Sequence, residues 1–155
     1  MEGTLEFRRT DNVTVATAIS GNGSLTQNGS GKVTLAGANT YTGTTTIANG
    51  TVALSGAGSV SSSALGVVSN ATFDVSAASP QTALTILNLT SSSLNVVLTN
   101  LPAPISVSSL NVDGVLGTQN TINVLALPPV ASYPATFTII KAANPINLLG
   151  SVFNF

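Results

Sequence analysis

Apolar and polar residues alternate in short runs along this chain. In "GKVTL" (Gly31 to Leu35), Val33 and Leu35 share one parity and Lys32 and Thr34 the other. The same kernel, two small or polar residues and then apolar-x-apolar, recurs as "GTVAL" from Gly50, "GTLEF" from Gly3 and "ATFDV" from Ala71. It returns as "SSLNV" from Ser92 and again from Ser108, "NTINV" from Asn120, "ATFTI" from Ala135 and, more loosely, "SVFNF" from Ser151. A period of two residues is the mark of a strand buried on one face. No useful apolar stripe at helical spacing occurs, so the pattern predicts an all-β protein.

Kernel spacing separates the possible architectures. "GKVTLAGAN" set over "GTVALSGAG" gives five identities in nine at a spacing of 19. From Gly31 the kernels begin 19, 21 and 21 residues apart, at Gly50, Ala71 and Ser92. An interval this constant predicts a parallel β-solenoid (β-helix) in the N-terminal half, one coil per interval. After Ser92 the intervals become 16, 12, 15 and 16. These fit either a continued solenoid of shorter coils or antiparallel strands in a sandwich-like arrangement.

Turn chemistry changes along the chain. Eleven of the 14 glycines lie at or before Gly66, whereas all seven prolines lie at or after Pro80. The expected organisation is a glycine-rich solenoid region over 1–76 and a proline-containing β region over 77–155, packed as one unit. The Asn-Gly steps at Asn22, Asn28 and Asn49 are expected to supply tight turns with positive φ.

Composition then narrows function. With 21 Thr, 19 Ser and 15 Asn but nine charged residues and a net charge of −1, the surface is polar without being charged. Four basic residues in the whole chain are too few for a phosphate-backbone interface, so no nucleic-acid partner is expected. Cysteine and histidine are absent, which removes disulfides, thiolate chemistry and the commonest general base and metal ligand. No apolar run reaches the length of a membrane-spanning helix.

"ISGNGSLTQNGSGKVTLAGANTYTGTTTIANGTVAL" (Ile19 to Leu54) closely resembles the autotransporter-associated β-strand repeat. The most specific part is its Ala-Asn-Thr-Tyr-Thr-Gly core, and "LEFRRTDNV" (Leu5 to Val13) looks like the end of a preceding repeat. The resemblance is clear over about residues 5–54 and weak beyond. It implies a right-handed parallel β-helix in secreted or surface-displayed bacterial proteins, where the repeat is a stalk or scaffold and not a catalytic module.

Candidate chemistry is sparse. The possible carboxylate catalysts for sugar hydrolysis are Glu2, Glu6, Asp11, Asp74 and Asp113. Asp74 occupies the outward parity of "ATFDV", Asp113 precedes a turn glycine, and Glu2, Glu6 and Asp11 crowd with Arg8 and Arg9, where ion pairing explains them. No calcium-loop or phosphate-loop motif occurs, and no cofactor is expected. The run Thr44, Thr45, Thr46 would form an ice- or polysaccharide-binding array only if such threonines stacked in successive coils, and the other kernels do not keep them.

The expected function is therefore a non-enzymatic extracellular structural protein. The chain opens in one kernel and closes in another, and five of its nine charged residues fall within the first 11 positions. Strand edges without polar caps invite pairing, so copies of the chain are expected to meet end to end in a fibre. Leu5, Phe7, Arg8 and Arg9 would lie at one end and Val152, Phe153 and Phe155 at the other. The alternatives are a stalk or adhesin segment of a larger passenger, with cell-surface or glycan ligands, and a polysaccharide-acting β-helix enzyme.

Overall fold

A computed structural model describes residues 2–60, 64–68, 70–78, 82–97, 105–113, 120–126, 140–142 and 147–149. Described residues form strands and turns, with no helix. The strands are β1 (Thr4–Phe7), β2 (Val13–Val15), β3 (Ser24–Gln27), β4 (Lys32–Leu35), β5 (Thr45–Ile47), β6 (Thr51–Gly56) and β7 (Leu65–Val68). They continue as β8 (Thr72–Ala78), β9 (Thr82–Thr90), β10 (Ser93–Val97), β11 (Ile105–Asp113), β12 (Thr121–Ala126), β13 (Ile140–Ala142) and β14 (Asn147–Leu149).

Up to β13, odd and even strands separate into two sheets. One runs β1-β3-β5-β7-β9-β11-β13, with β14 also beside β11, and the other runs β2-β4-β6-β8-β10-β12. Every described pairing is parallel. Up to β12 each circuit of the chain thus gives one strand to each sheet and lands on the circuit before it, which is a β-solenoid.

The alternation of apolar residues turns this stacking into core columns. In the first sheet Leu5, Leu25, Thr45, Leu65, Leu87 and Leu110 lie in register, as do Phe7, Gln27, Ile47, Val67, Leu89 and Val112. Facing them in the second sheet are Val13, Val33, Val52, Phe73, Leu94 and Ile122. From Leu25 to Val112 these columns contribute to one buried cluster. Each fully buried Leu, Ile or Phe contributes ~1.5–3 kcal/mol, so the stack is held mainly by side chains that face inward because the strand period is two.

The kernels from Gly31, Gly50, Ala71 and Ser92 become β4, β6, β8 and β10, stacked in one sheet as their even spacing requires. Later intervals have a different cause. The kernel from Ser108 belongs to β11 in the first sheet, and that from Asn120 becomes β12, where Thr121 returns beside Ser93. Intervals of 16 and 12 are therefore two parts of one longer circuit. Both sheets carry the same period-2 pattern, so a kernel alone does not say which sheet it joins. The antiparallel alternative fails for every described strand pair; the kernels from Ala135 and Ser151 lie outside the described residues. β8 runs through the point between 76 and 77 where turn chemistry divides the chain, and β9 and β10 pair with β7 and β8.

Of the three Asn-Gly glycines, only Gly50 takes a positive φ, at 64°. A Cβ there would lie 2.4 Å from the Gly29 carbonyl oxygen of the coil beneath. Gly29 needs no left-handed backbone; a Cβ at that position would meet the Arg9 carbonyl oxygen at 2.1 Å. At Gly29 it is coil-on-coil approach that excludes a side chain, which corrects the expectation of positive φ at each step.

Candidate functional site

Outward-facing residues form ladders along the stack. Thr26 lies beside Thr46, Asn88 beside Asn111 and Asn95 beside Asn123. Asn111 Nδ2 donates to Asn88 Oδ1 at 2.7 Å, and Asn123 Nδ2 donates to Asn95 Oδ1 at 2.8 Å. Just before β5, Thr42 Oγ1 donates to Asn22 Oδ1 and Thr44 Oγ1 to Ser24 Oγ. Uncharged amides and hydroxyls stack this way without the repulsion that like charges one coil apart would bring. In the Thr44–Thr46 run, Thr45 turns into the core. No continuous threonine array results.

A second set of polar groups is buried, and sequence reasoning missed it. Gln27 has no solvent exposure; its Nε2 donates to the carbonyls of Gly29 at 2.7 Å and Gly31 at 2.9 Å, while Oε1 has no bonding partner. Gln27 therefore holds the corner between β3 and β4 from inside. Asn39 joins three coils: its Oδ1 accepts from Ile19 N and its Nδ2 donates to Ser59 O, both at 2.8 Å. Tyr41 Oη and Thr45 Oγ1 lie 2.7 Å apart, both fully buried, and burial pushes the Tyr41 phenol up despite that bond. Parity was the available signal, because Gln27 follows Leu25 by two residues and Thr45 precedes Ile47 by two.

Among the described residues the acidic side chains do not gather at one place. Glu6 pairs with Arg8 at 2.8 Å and accepts from Asn28 Nδ2; the Arg8 guanidinium and then Asn28 hold its carboxyl below the ordinary value. Arg9 pairs with Asp11 and lowers its carboxyl in the same way. Ion pairing is thus borne out for Glu6 and Asp11 in the N-terminal charge cluster. Glu2 is exposed. Asp113 ends β11 in the first sheet, whereas Asp74 lies on β8 in the second.

Asp74 has a structural setting. Its Oδ1 accepts from Ser76 N at 3.0 Å and Ser76 Oγ at 2.6 Å. Its Oδ2 meets Lys32 Nζ at 3.5 Å. Lys32 is on β4 and Asp74 on β8, so the pair spans β6, where Ala53 is the register neighbour of Asp74 and is 4% exposed. Burial acts to raise the Asp74 carboxyl, but the Ser76 bonds and the Lys32 charge outweigh it, and the group lies below its ordinary value.

Of the residues expected at assembly contacts, Leu5 and Phe7 face inward at the start of the two first-sheet columns, and both are half-buried. Arg8 and Arg9 hold the ion pairs just described. Val152, Phe153 and Phe155 lie outside the described residues.

Comparison with curated proteins and with solved structures returned no match. One family model matches, over residues 25–54, from the second residue of β3 to Leu54 in β6. That segment contains Gln27, Asn39, Tyr41 and Thr45, together with the corners at Gly29 and Gly50. The match is to the passenger-associated-transport-repeat, and the parallel stack over these residues is consistent with a β-helix repeat of the autotransporter-passenger type.

Proposed function

We propose that this chain is a non-enzymatic structural segment of a secreted or surface-displayed passenger-type protein, its coils forming a stalk or scaffold. The carrying observation is that its outward-facing, half-buried polar groups bond from coil to coil, Asn111 to Asn88 and Asn123 to Asn95, and not toward a common point. Surfaces built this way extend a rod. A screen of the purified chain for polysaccharide cleavage tests the reading. No turnover is expected; cleavage abolished by Asp74→Asn would contradict it.

A second reading, end-to-end assembly of copies, is favoured by the first coil. Among the described residues β1 and β2 each pair on one side, with β3 and β4. A second copy pairing with their other edges, beside Leu5, Phe7, Arg8 and Arg9, would extend both sheets, and head-to-tail pairing that does not close a ring yields filaments. Negative-stain images of concentrated protein should show filaments that Leu5→Lys shortens or abolishes. Separate short rods at all concentrations would rule this reading out and leave the scaffold role standing.

A further inference from the structure

Three Asn-Gly steps occur in the solenoid, at Asn22, Asn28 and Asn49, and the fold treats them differently. At Asn49 the Gly50 amide donates to the Oδ1 of Asn49 itself at 2.8 Å. The backbone nitrogen therefore lies against the side-chain carbonyl whose carbon it would attack. Asn49 is exposed and Gly50 half-buried, so water reaches both. At Asn28 the Gly29 amide instead donates to Phe7 O of the coil beneath at 3.0 Å, and Asn28 Nδ2 is held by Glu6. Gly29 is buried, as is Gly23.

We propose that Asn49-Gly50 is a self-modifying site at which the folded protein deamidates through a succinimide. The Gly50 nitrogen gives its proton to solvent and attacks Asn49 Cγ. The N–Cγ bond forms, the Cγ–Nδ2 bond breaks, and the side-chain nitrogen takes up a proton and leaves as ammonia. Water then opens the ring at either carbonyl, leaving aspartate or isoaspartate; the net change is water consumed and ammonia released, with no oxidation. Closing the ring removes the Gly50 N–H, which bonds to Asn49 itself. The same reaction at Asn28 would break the Gly29-to-Phe7 bond between coils. Geometry thus selects one step of three, at the corner joining β5 to β6, where it adds a negative charge and, in the isoaspartate form, an extra backbone carbon.

The test is peptide mapping by mass spectrometry of the intact folded chain, aged in mildly alkaline buffer, beside the same chain aged in urea. In the folded protein Asn49 should convert several-fold faster than Asn22 or Asn28. In urea the three should converge, since only the fold distinguishes them. Asn49→Gln should remove the signal at that step and leave the other two unchanged. Equal rates at the three steps in the folded chain, a lead by Asn22 or Asn28, or no conversion at Asn49 would overturn the proposal.

Discussion

The coils built from β3 to β6 and those built from β9 to β12 hold the same parallel stack by different means. In the first region the strands β3, β4 and β5 are three or four residues long, and Leu25, Thr45 and Leu65 follow one another at 20-residue intervals. Short ladders leave much of each circuit in corners. There the backbones approach so closely that Gly29 and Gly50 have no room for a side chain, and Gln27 ties two corner carbonyls from within. In the second region β9 and β11 are nine residues each and pair along most of that length, with asparagines bonded on the outer face. Narrow coils rely on corner geometry and a few directed bonds, wide coils on longer ladders and apolar columns.

This contrast can be broken from the wide side first. Leu87 is fully buried between Leu65 and Leu110 in its column. Leu87→Ala should cost about 4 kcal/mol, within the range for a buried leucine that leaves a cavity, measured as a lowered urea midpoint. On the narrow side, Gly50→Ala should cost about 3 kcal/mol, because a left-handed residue gains a Cβ that meets the Gly29 carbonyl. Gly66→Ala is its control: nothing lies within 4 Å of a Cβ there, and the midpoint should barely move.

Smaller effects sharpen the comparison. Gln27→Leu keeps volume and adds apolar surface, yet should destabilise by about 1 kcal/mol, since the Gly29 and Gly31 carbonyls lose their donor. A gain in stability would mean that the corner does not depend on that bond. Asp74 tests linkage across three coils. Its folded pKa lies below the ordinary 3.8, so its contribution is complete above that value and is lost as pH falls through the folded pKa. Wild-type stability should therefore drop below pH 3.8, and Asp74→Asn should drop less over that range. Glu6→Gln, which removes an exposed ion pair, should leave the urea midpoint unchanged at neutral pH.

Much of the fold was legible because inward and outward residues alternate. Val33, Val52, Phe73 and Leu94 could be stacked from spacing alone, and Asp74 falls on the outward parity of its kernel. Sheet membership was not legible: "SSLNV" at Ser92 and at Ser108 are identical, yet one belongs to β10 and the other to β11. The difference lies in the length of chain between them, which period-2 patterning does not encode. Gln27 and Thr45 escaped notice for a related reason. Polar residues at inward parity look like interruptions until the carbonyls or hydroxyl that bond them are placed, and those partners come from corners whose path the pattern leaves open. Lys32 and Asp74, 42 residues apart, meet only because each circuit returns to the same sheet.

The claim that one parallel solenoid continues from narrow to wide coils rests on β12 returning over β10 after 28 residues. The chain has no cysteine, so two introduced thiols report without background. Mild oxidation of Asn95→Cys/Asn123→Cys should give rapid, intramolecular disulfide formation in the folded protein, because these residues are register neighbours. Asn95→Cys/Thr14→Cys, which places the second thiol on β2 at the far edge of the sheet, should not form one. Failure of the first pair in folded protein, or equal cross-linking of both, would contradict the continuous stack.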